Sequence, residues 1–232
     1  MSEQPRLLDL FCGAGGAGMG YHRAGYDVTG VDIRPQPNYP FGFVQSDALE
    51  YAAEHGAEFD LIHASPPCQA YCVTRFVVEA KLGKMPDYPD LVAATRDVLR
   101  SLCKPYVIEN VPGAPLIDPI MLCGEMFGLR VFRHRLFEIG GGCFLLAPPH
   151  PKHPPWATTH SSHGQYSSFA NGATHICVVG NNFCRADGMV AMGVDWKCTK
   201  RELTQMIPPA YTEWIGGQML NQIKIEGKSV NE

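Results

Sequence analysis

The sequence predicts an α/β fold with a Rossmann-like, mostly parallel sheet and a small irregular insertion late in the chain. Three observations support this prediction. In the first half, short apolar runs alternate with segments of helical periodicity, as in βαβ units. A glycine-rich turn follows the first apolar run directly, and the composition changes after Gly140. We therefore expect one main α/β domain that carries an insertion.

The elements follow from these patterns in order along the chain. The predicted strands are the apolar runs Arg6 to Phe11, Val28 to Ile33, Phe59 to Ala64 and Tyr106 to Val111. The predicted helices are Ala17 to Ala24, Leu91 to Cys103, Lys200 to Met206 and Pro209 to Gln222. Proline at position 209 suits a first helical turn. In a sheet of this kind, ligands bind beyond the carboxyl ends of the strands.

Residues 141–190 are rich in glycine, proline, histidine and small polar residues, and they lack helical periodicity. This segment is predicted to be a small, loop-rich insertion with a hairpin around Ile176 to Gly180. The predicted domains are therefore a main domain over 1–140, the insertion over 141–190, and C-terminal helices over 191–232 that return to the first domain.

Composition limits the classes of protein that this chain can be. Of its 232 residues, 45% are hydrophobic and 18% charged, which is enough to bury a core and excludes a disordered chain. The net charge of -4 excludes binding nucleic acid by bulk charge but allows a local basic cleft. Because no secretory signal or membrane-length apolar run is present, we expect a cytoplasmic protein that does not contact a membrane. Its nine cysteines are expected to be reduced.

A glycine loop, Gly13-x-Gly15-x-x-Gly18, follows the first strand, and Asp32 ends the second. Glycines let a cofactor approach the backbone closely, and a carboxylate at Asp32 can accept hydrogen bonds from ribose hydroxyls. Both NAD and S-adenosylmethionine satisfy this pattern, and a tight strand-to-helix turn is the structural alternative. Phe11 can cover an adenine face, which favours S-adenosylmethionine.

A second loop, Pro66-Pro67-Cys68-Gln69, ends the third strand and faces the same crevice. Most cysteines in such a chain are small buried hydrophobes, but a proline-rigid loop places Cys68 well for nucleophilic chemistry. The thiolate is the reactive form, so we expect the site to favour it electrostatically.

Glu109 ends the fourth strand and faces the crevice, where a carboxyl group can act as a general acid. The period-two spacing of Arg133 and Arg135 predicts that both lie on one face of an extended segment. One guanidinium could then bind the substrate while the other binds phosphate or orders the loop. His134, between them, is interpreted as structural.

These motifs resemble the cytosine-5 DNA methyltransferases, particularly compact phage and bacterial members, over roughly 6–138 and 190–222. The resemblance implies S-adenosylmethionine as the cofactor and Cys68, Glu109, Arg133 and Arg135 as catalytic residues. Its implied cofactor-binding residues are Phe11, Gly13, Gly15, Gly16, Asp32, Ile33, Asp47, Ala48 and Pro67.

The activity that the resemblance implies is methyl transfer to C5 of cytosine in double-stranded DNA. The base would be flipped out of the helix and attacked at C6 by Cys68. A monomer with a cognate restriction endonuclease as a possible partner is expected. The chain departs from the family pattern at Tyr71-Cys72, where Phe-Ser is common, and at Gly217-Gln218, where Gly-Asn is usual. The resemblance makes 1–140 the catalytic, cofactor-binding domain and 141–190 the target-recognition insertion. This insertion is short, which predicts a short target sequence.

Positive residues near the motifs suggest where DNA phosphates would bind. Arg75, Lys81 and Lys84 follow the nucleophile in a segment that the family uses to close over DNA, and Lys197, Lys200 and Arg201 flank the insertion. Solvated surface lysines are the alternative for each.

Histidines and cysteines of the insertion raise the alternative of a structural zinc. They are His150, His153, His160, His163, His175, Cys143, Cys177 and Cys184. No Cys-x-x-Cys pair is present and prolines interrupt the histidine spacing, so no metal ligand is predicted and contacts with DNA or solvent are preferred.

Three other functions stay open. RNA could replace DNA as the substrate, because a relative of the family methylates tRNA. A non-catalytic, methyltransferase-like DNA-binding regulator would lack any methyl transfer. A nicotinamide oxidoreductase agrees with the glycine loop but with nothing after it in the chain.

Overall fold

The structure is a computed structural model that describes residues 4–72, 79–80, 83–84, 87–153, 173–180 and 182–229, with backbone only at 224–229. Seven strands form one sheet. They are β1 Arg6–Leu10, β2 Asp27–Asp32, β3 Gly42–Gln45, β4 Leu61–Ala64, β5 Tyr106–Asn110, β6 Ile120–Leu122 and β7 Arg135–Gly140.

Six helices and two short 3-10 turns whose full bounds lie within the described residues accompany the sheet. The helices are α1 Gly16–Ala24, α2 Ala48–His55, α3 Val92–Ser101, α4 Arg185–Met192, α5 Lys200–Gln205 and α6 Pro209–Ser229, and the turns are Gly56–Glu58 and Gly124–Phe127. Within the described residues, no helix is both long enough and apolar enough to cross a membrane.

The strand order is β3-β2-β1-β4-β5-β7-β6. Strands β1 to β5 are parallel, and β7 lies antiparallel between β5 and β6. The chain winds outward from β1 in one direction to β3 and then from β4 in the other. This reversal leaves a crevice at the carboxyl ends of β1 and β4, where ligands bind in open α/β sheets.

Alternate residues of the central strands enter two different cores, as the period of a strand requires. On one face, Leu7, Leu61 and Val107 pack in the same cluster as Tyr21 of α1 and Ile215 of α6. On the other face, the cluster contains Leu8, Ile62, Ile108, Ala52 of α2 and Leu99 of α3. The result is a three-layer α/β/α arrangement, which confirms the predicted fold class.

The predicted strands and helices all form, with ends that differ by a few residues. Strands β3, β6 and β7 and helix α2 were not predicted. The short edge strand β3 is half-exposed and has no clear alternation, while β6 and β7 pair antiparallel and depart from the βαβ pattern.

Two expectations about the insertion are wrong. Helix α4 forms at the end of the segment where no helix was expected; Gly188 lets it pack closely, because a Cβ there would lie 2.5 Å from the ring of Phe183. Within the described residues 173–180, no strand forms. The guanidiniums of Arg130 and Arg133 instead donate to the carbonyls of Ala173, Thr174 and Val178, so a hairpin partner is not needed.

The described part of the insertion has a small core of its own. Ile176, Val178 and Phe183 pack in one cluster with Met192 of α4 and Leu203 of α5. The same cluster includes Ala14 of the glycine loop and Val131, so this lobe is joined to the sheet beside the crevice. Helix α4 spans the predicted boundary between residues 190 and 191, and the three-part division stays a prediction.

Close packing of α1 against α6 gives a first prediction. A Cβ at Gly20 would lie 2.1 Å from the Pro209 carbonyl oxygen and from Oγ1 of Thr212. We expect Gly20→Ala to lower the free energy of unfolding by about 1–3 kcal/mol, measured by urea denaturation. Gly217→Ala on α6 is the control, because nothing lies within 4 Å of its Cβ, and it should raise stability by about 0.5–1 kcal/mol. Equal effects at both positions would contradict this packing.

Candidate active site

Three loops meet at the carboxyl ends of neighbouring strands. Strand β1 pairs with β4, and β4 pairs with β5, so the glycine loop, the cysteine loop and Glu109 lie side by side. The Ser65 amide donates to the Leu10 carbonyl at 3.2 Å, and Nδ2 of Asn110 donates to the Pro66 carbonyl at 3.0 Å. These bonds fix the cysteine loop between its two neighbours. Asn110 was not singled out from the sequence, although it directly follows the predicted acid.

The glycine loop has the backbone conformation that a close-fitting cofactor requires. Gly13 and Gly15 have φ angles of 50° and 87°, which favour glycine. A Cβ at Gly16 would lie 2.4 Å from the Ile207 carbonyl oxygen, so glycine is also required there for packing. Phe11 has a φ angle of 57°, a costly conformation for an aromatic residue. Strain of this kind clusters at functional sites, which agrees with a role for Phe11 in binding.

Asp32 connects the second strand to the glycine loop. Its Oδ2 accepts from the Gly13 amide at 3.1 Å, and its Oδ1 accepts from the Arg34 amide at 2.9 Å. Each carboxylate oxygen retains a lone pair for a further donor. The neighbouring Ile33 is 65% exposed despite being apolar, and it offers a hydrophobic surface at the same edge of the crevice.

Asp47 has a structural role that the resemblance did not predict. Its Oδ1 accepts from the amides of Leu49 and Glu50, so it is the N-cap of α2. Ala48 is buried, and Pro67 is half-buried in the cysteine loop. Their assignment to cofactor binding stays a prediction.

Cys68 is partly exposed and lies at the start of a tight turn. The amides of Tyr71 and Cys72 donate to its carbonyl at 3.0 Å. In this turn, Sγ of Cys72 lies 3.4 Å from Sγ of Cys68. The hydrogen bond with Cys72, burial and the nearby Glu109 carboxylate all raise the pKa of the Cys68 thiol, and Arg135 offsets them in part. The expectation that the site favours the thiolate is therefore wrong, because the hydrogen bond with Cys72, burial and the charge of Glu109 outweigh the effect of Arg135.

Glu109 and Arg135 form a buried ion pair beside the cysteine. The Arg135 Nε lies 3.0 Å from Oε1 of Glu109, and their side chains are 15% and 8% exposed. Burial raises the pKa of Glu109, while Arg135, Ser65 and Arg133 lower it in part. The net upward shift makes the protonated acid accessible, as a general acid requires.

A chain of buried polar groups lies behind Glu109. Ser65 hydrogen bonds to the Glu109 carboxylate, Nε2 of His63 lies 3.0 Å from Oγ of Ser65, and the Tyr21 hydroxyl lies 3.1 Å from Nδ1 of His63. Burial lowers the pKa of His63 to about 3, so the ring is neutral. A Ser65 that donates to Glu109 accepts from His63 Nε2–H, which leaves Nδ1 to accept from Tyr21. A polar residue within the apolar strand β4 is the signal that could have identified His63.

The two arginines have different environments, so their predicted placement on one extended face is wrong. Arg135 begins β7, but Arg133 precedes the strand and has a φ angle of 40°. The Arg133 guanidinium donates to the carbonyls of Val178 at 3.1 Å and Thr204 at 2.7 Å. Burial and the adjacent Arg135 lower its pKa to about 9. Arg133 therefore connects the insertion lobe to the site, whereas Arg135 contacts the acid.

Tyr211 of α6 is a further residue that the sequence did not reveal. Its hydroxyl lies 3.1 Å from the Phe132 carbonyl and 2.9 Å from the Arg133 carbonyl. Thr212 donates to the Ala17 carbonyl of α1 at 2.8 Å. These contacts place α6 against α1, which follows the glycine loop.

The described residues include part of the predicted DNA-binding surface. Arg75 and Lys81, and His160 and His163 of the insertion, lie outside the described residues. Lys84, Lys197 and Arg201 are exposed, and the Lys200 ammonium lies 5.0 Å from the ring centroid of Phe183.

No protein-family model matches the chain. A Type II methyltransferase, M.AquIA of Picosynechococcus sp., is 27% identical over 202 residues, which cover 66% of this chain and 78% of that protein.

Solved structures of methyltransferases share the fold. One is described as a DNA modification methyltransferase encoded within an E. coli prophage; it has a TM-score of 0.56 and 16% identity, over 94% of this chain and 99% of its own. The S. pombe Dnmt2 methyltransferase has a TM-score of 0.57 and 13% identity, over 95% and 99%. Sequence similarity and fold thus agree with the predicted resemblance: the chain has the fold of these methyltransferase structures and is similar in sequence to a Type II methyltransferase.

Proposed function

We propose that this protein methylates C5 of cytosine in double-stranded DNA through a covalent bond between Cys68 and C6 of the base. The observation that carries the proposal is the position of Cys68 beside the Glu109–Arg135 ion pair, one strand from the glycine loop. A nucleophile, an acid and a cation around one crevice are the groups that activation of a pyrimidine needs. The name of the E. coli prophage protein supports DNA as the substrate.

The crevice fits S-adenosylmethionine. The left-handed glycines permit close approach, Asp32 can accept from ribose hydroxyls, and Phe11 and exposed Ile33 provide apolar surface for an adenine. When bound, the cofactor supplies an electrophilic methyl group.

The residues of the chain activate the base in a defined order. The Cys68 thiol first loses its proton to solvent; its sulfur then adds to C6 while protonated Glu109 donates its proton to N3, which leaves C5 nucleophilic. Arg135 stabilises negative charge beside the base. After methylation, transfer of the C5 proton to solvent water restores the double bond and expels the Cys68 thiolate. Glu109 then takes its proton back from N3.

The base must leave the helix before these atoms can meet. Cytosine C5 and C6 are stacked within a duplex, whereas Glu109 and Arg135, which line the crevice with Cys68, are only 8% and 15% exposed. We therefore propose base flipping into this crevice. A monomeric state, a cytoplasmic location and a cognate endonuclease stay predictions.

The function is tested by expressing the protein in a host that lacks cytosine methylation and mapping 5-methylcytosine across the genome. We expect methylation at one short sequence. In vitro, labelled S-adenosylmethionine is supplied with duplex DNA and, separately, with RNA. Labelling of RNA alone would replace DNA as the substrate, and labelling of neither would favour a non-catalytic regulator.

Cofactor binding gives a further prediction. Asp32→Ala removes the carboxylate that accepts from the Gly13 amide of the glycine loop. We expect it to weaken binding of S-adenosylmethionine about 10- to 100-fold, since a hydrogen bond to a charged group contributes about 1.5–3 kcal/mol. Isothermal titration calorimetry measures the dissociation constant. Asp27→Ala, at the opposite end of β2, is the control and should leave it unchanged. An unchanged constant in Asp32→Ala would remove this residue from the cofactor site.

A further inference from the structure

Four potential metal ligands meet beside the arginine pair. They are Cys123, which follows β6, His134, which precedes β7, and His150 and His153 of the insertion. One ligand atom from each lies within 4.8 Å of all the others. Cys123 is buried and the three histidines are half-buried, so the group is largely shielded from solvent.

The distances in this group resemble those of a tetrahedral zinc centre. Zinc bonds of about 2.0–2.1 Å to nitrogen and 2.3 Å to sulfur place two nitrogens about 3.3 Å apart, and a nitrogen and a sulfur about 3.6 Å apart. In the structure, Sγ of Cys123 lies 3.5 Å from Nε2 of His153. Nε2 of His134 lies 2.9 Å from Nε2 of His150 and 3.0 Å from Nε2 of His153.

Hydrogen bonds alone explain this convergence poorly. A ring nitrogen carries either one proton or one in-plane lone pair, so it makes one well-aligned hydrogen bond. Nε2 of His134 nevertheless faces two ring nitrogens at hydrogen-bond distance. One cation among the four atoms would accept a lone pair from each of them.

Glu125 provides an independent indication of a metal site. Its Oε2 lies 2.6 Å from Nδ1 of His153, on the side of the ring opposite the cluster. A carboxylate that accepts from Nδ1–H leaves the Nε2 lone pair free and aimed at the cluster. Metal-binding histidines commonly have such an outer partner. The ring of Phe132, with its centroid 4.1 Å from that of His153, further fixes the orientation.

We propose that Cys123, His134, His150 and His153 bind a structural zinc ion. Four protein ligands leave no open position, which is typical of a structural site, and a thiolate with imidazoles suits zinc. The zinc alternative weighed from the sequence contained His150 and His153 but neither Cys123 nor His134, because these lie outside the insertion and come together only through the antiparallel strands β6 and β7.

The ion would attach the insertion to the catalytic core. His134 separates Arg133 from Arg135, and the Arg135 guanidinium donates to the His134 carbonyl at 2.8 Å. A metal bond to His134 would thus hold the backbone from which Arg135 reaches Glu109, and would anchor the start of the insertion there.

Metal analysis of the full-length protein, free of any histidine tag and purified from zinc-supplemented cells, tests the proposal. We expect about one zinc per chain by mass spectrometry. After zinc is removed, added Co²⁺ should produce a thiolate-to-cobalt charge-transfer absorption. This readout is independent of methyl transfer, so it separates the zinc proposal from the proposed activity.

Matched variants locate the site. Cys123→Ser should abolish the charge-transfer band, and His150→Gln should remove stoichiometric zinc. The controls are Cys198→Ser, at another buried cysteine, and His175→Gln, and each should retain the band and the zinc. Circular dichroism checks that each variant folds, and His150→Gln carries the test if Cys123→Ser does not fold. Glu125→Gln should weaken zinc binding about 10- to 100-fold. Two results would overturn the proposal. One is wild-type protein that holds less than a tenth of a zinc per chain and gives no cobalt band, and the other is full zinc content in folded His150→Gln.

Discussion

Replacing Cys68 by alanine is expected to abolish methyl transfer while binding of S-adenosylmethionine stays near that of the wild type. The sulfur supplies the electrons that make C5 nucleophilic, and alanine has no substitute for them. We expect the rate to fall by at least about four orders of magnitude, as for other covalent nucleophiles. Transfer of labelled methyl groups to duplex DNA measures the rate, and calorimetry measures cofactor binding.

Cys103→Ala is the matched control for this change, because Cys103 is an exposed cysteine at the end of α3, away from the crevice. It should retain full activity. DNA that contains 5-fluorocytosine should trap wild-type protein covalently, since fluorine at C5 cannot leave as a proton, and Cys68→Ala should form no such complex. A Cys68→Ala protein that still methylates DNA would refute the covalent route.

The glycine loop, Cys68 and Glu109 could be identified from the sequence because each lies at the end of a short apolar strand. Parallel strands bring such ends to one edge of the sheet, so local patterns were sufficient to predict their proximity. The ion pair of Glu109 with Arg135 could not be predicted from local patterns, because it depends on the antiparallel pairing of β7 with β5. No local pattern states which strand lies opposite Glu109.

The ionisation of Cys68 could not be predicted from the motif. Its pKa depends on Cys72, on burial and on the charge of Glu109, all of which are properties of the folded site. The departure from the family pattern at Tyr71-Cys72 identified where the site differs but not the direction of the effect. Arg133 was likewise misplaced, because its φ angle of 40° breaks the strand period on which the prediction rested.

Glu109→Gln is the sharpest test of the charge distribution in the site, because we expect it to slow methyl transfer and to speed alkylation of the Cys68 thiol. Glutamine cannot deliver a proton to N3, so we expect the turnover number to fall about 10²- to 10⁴-fold, the usual contribution of a general acid. The Glu109 carboxylate also raises the pKa of Cys68, and removing that charge lowers this pKa again. More thiolate is then present at neutral pH, so alkylation of Cys68 by iodoacetamide should become severalfold faster.

The second buried glutamate of this part of the sheet, Glu138, provides the control for that result. Its Oε2 lies 2.7 Å from Nη2 of Arg96, and its side chain is 3% exposed. Glu138→Gln is the same substitution in a comparably buried ion pair, so it should lower stability but leave the turnover number and the alkylation rate of Cys68 unchanged. Mass spectrometry of the Cys68 peptide follows alkylation over a range of pH. If Glu109→Gln slows methylation and alkylation together, then Glu109 acts by holding the cysteine loop in place, and its assignment as the proton donor to N3 fails.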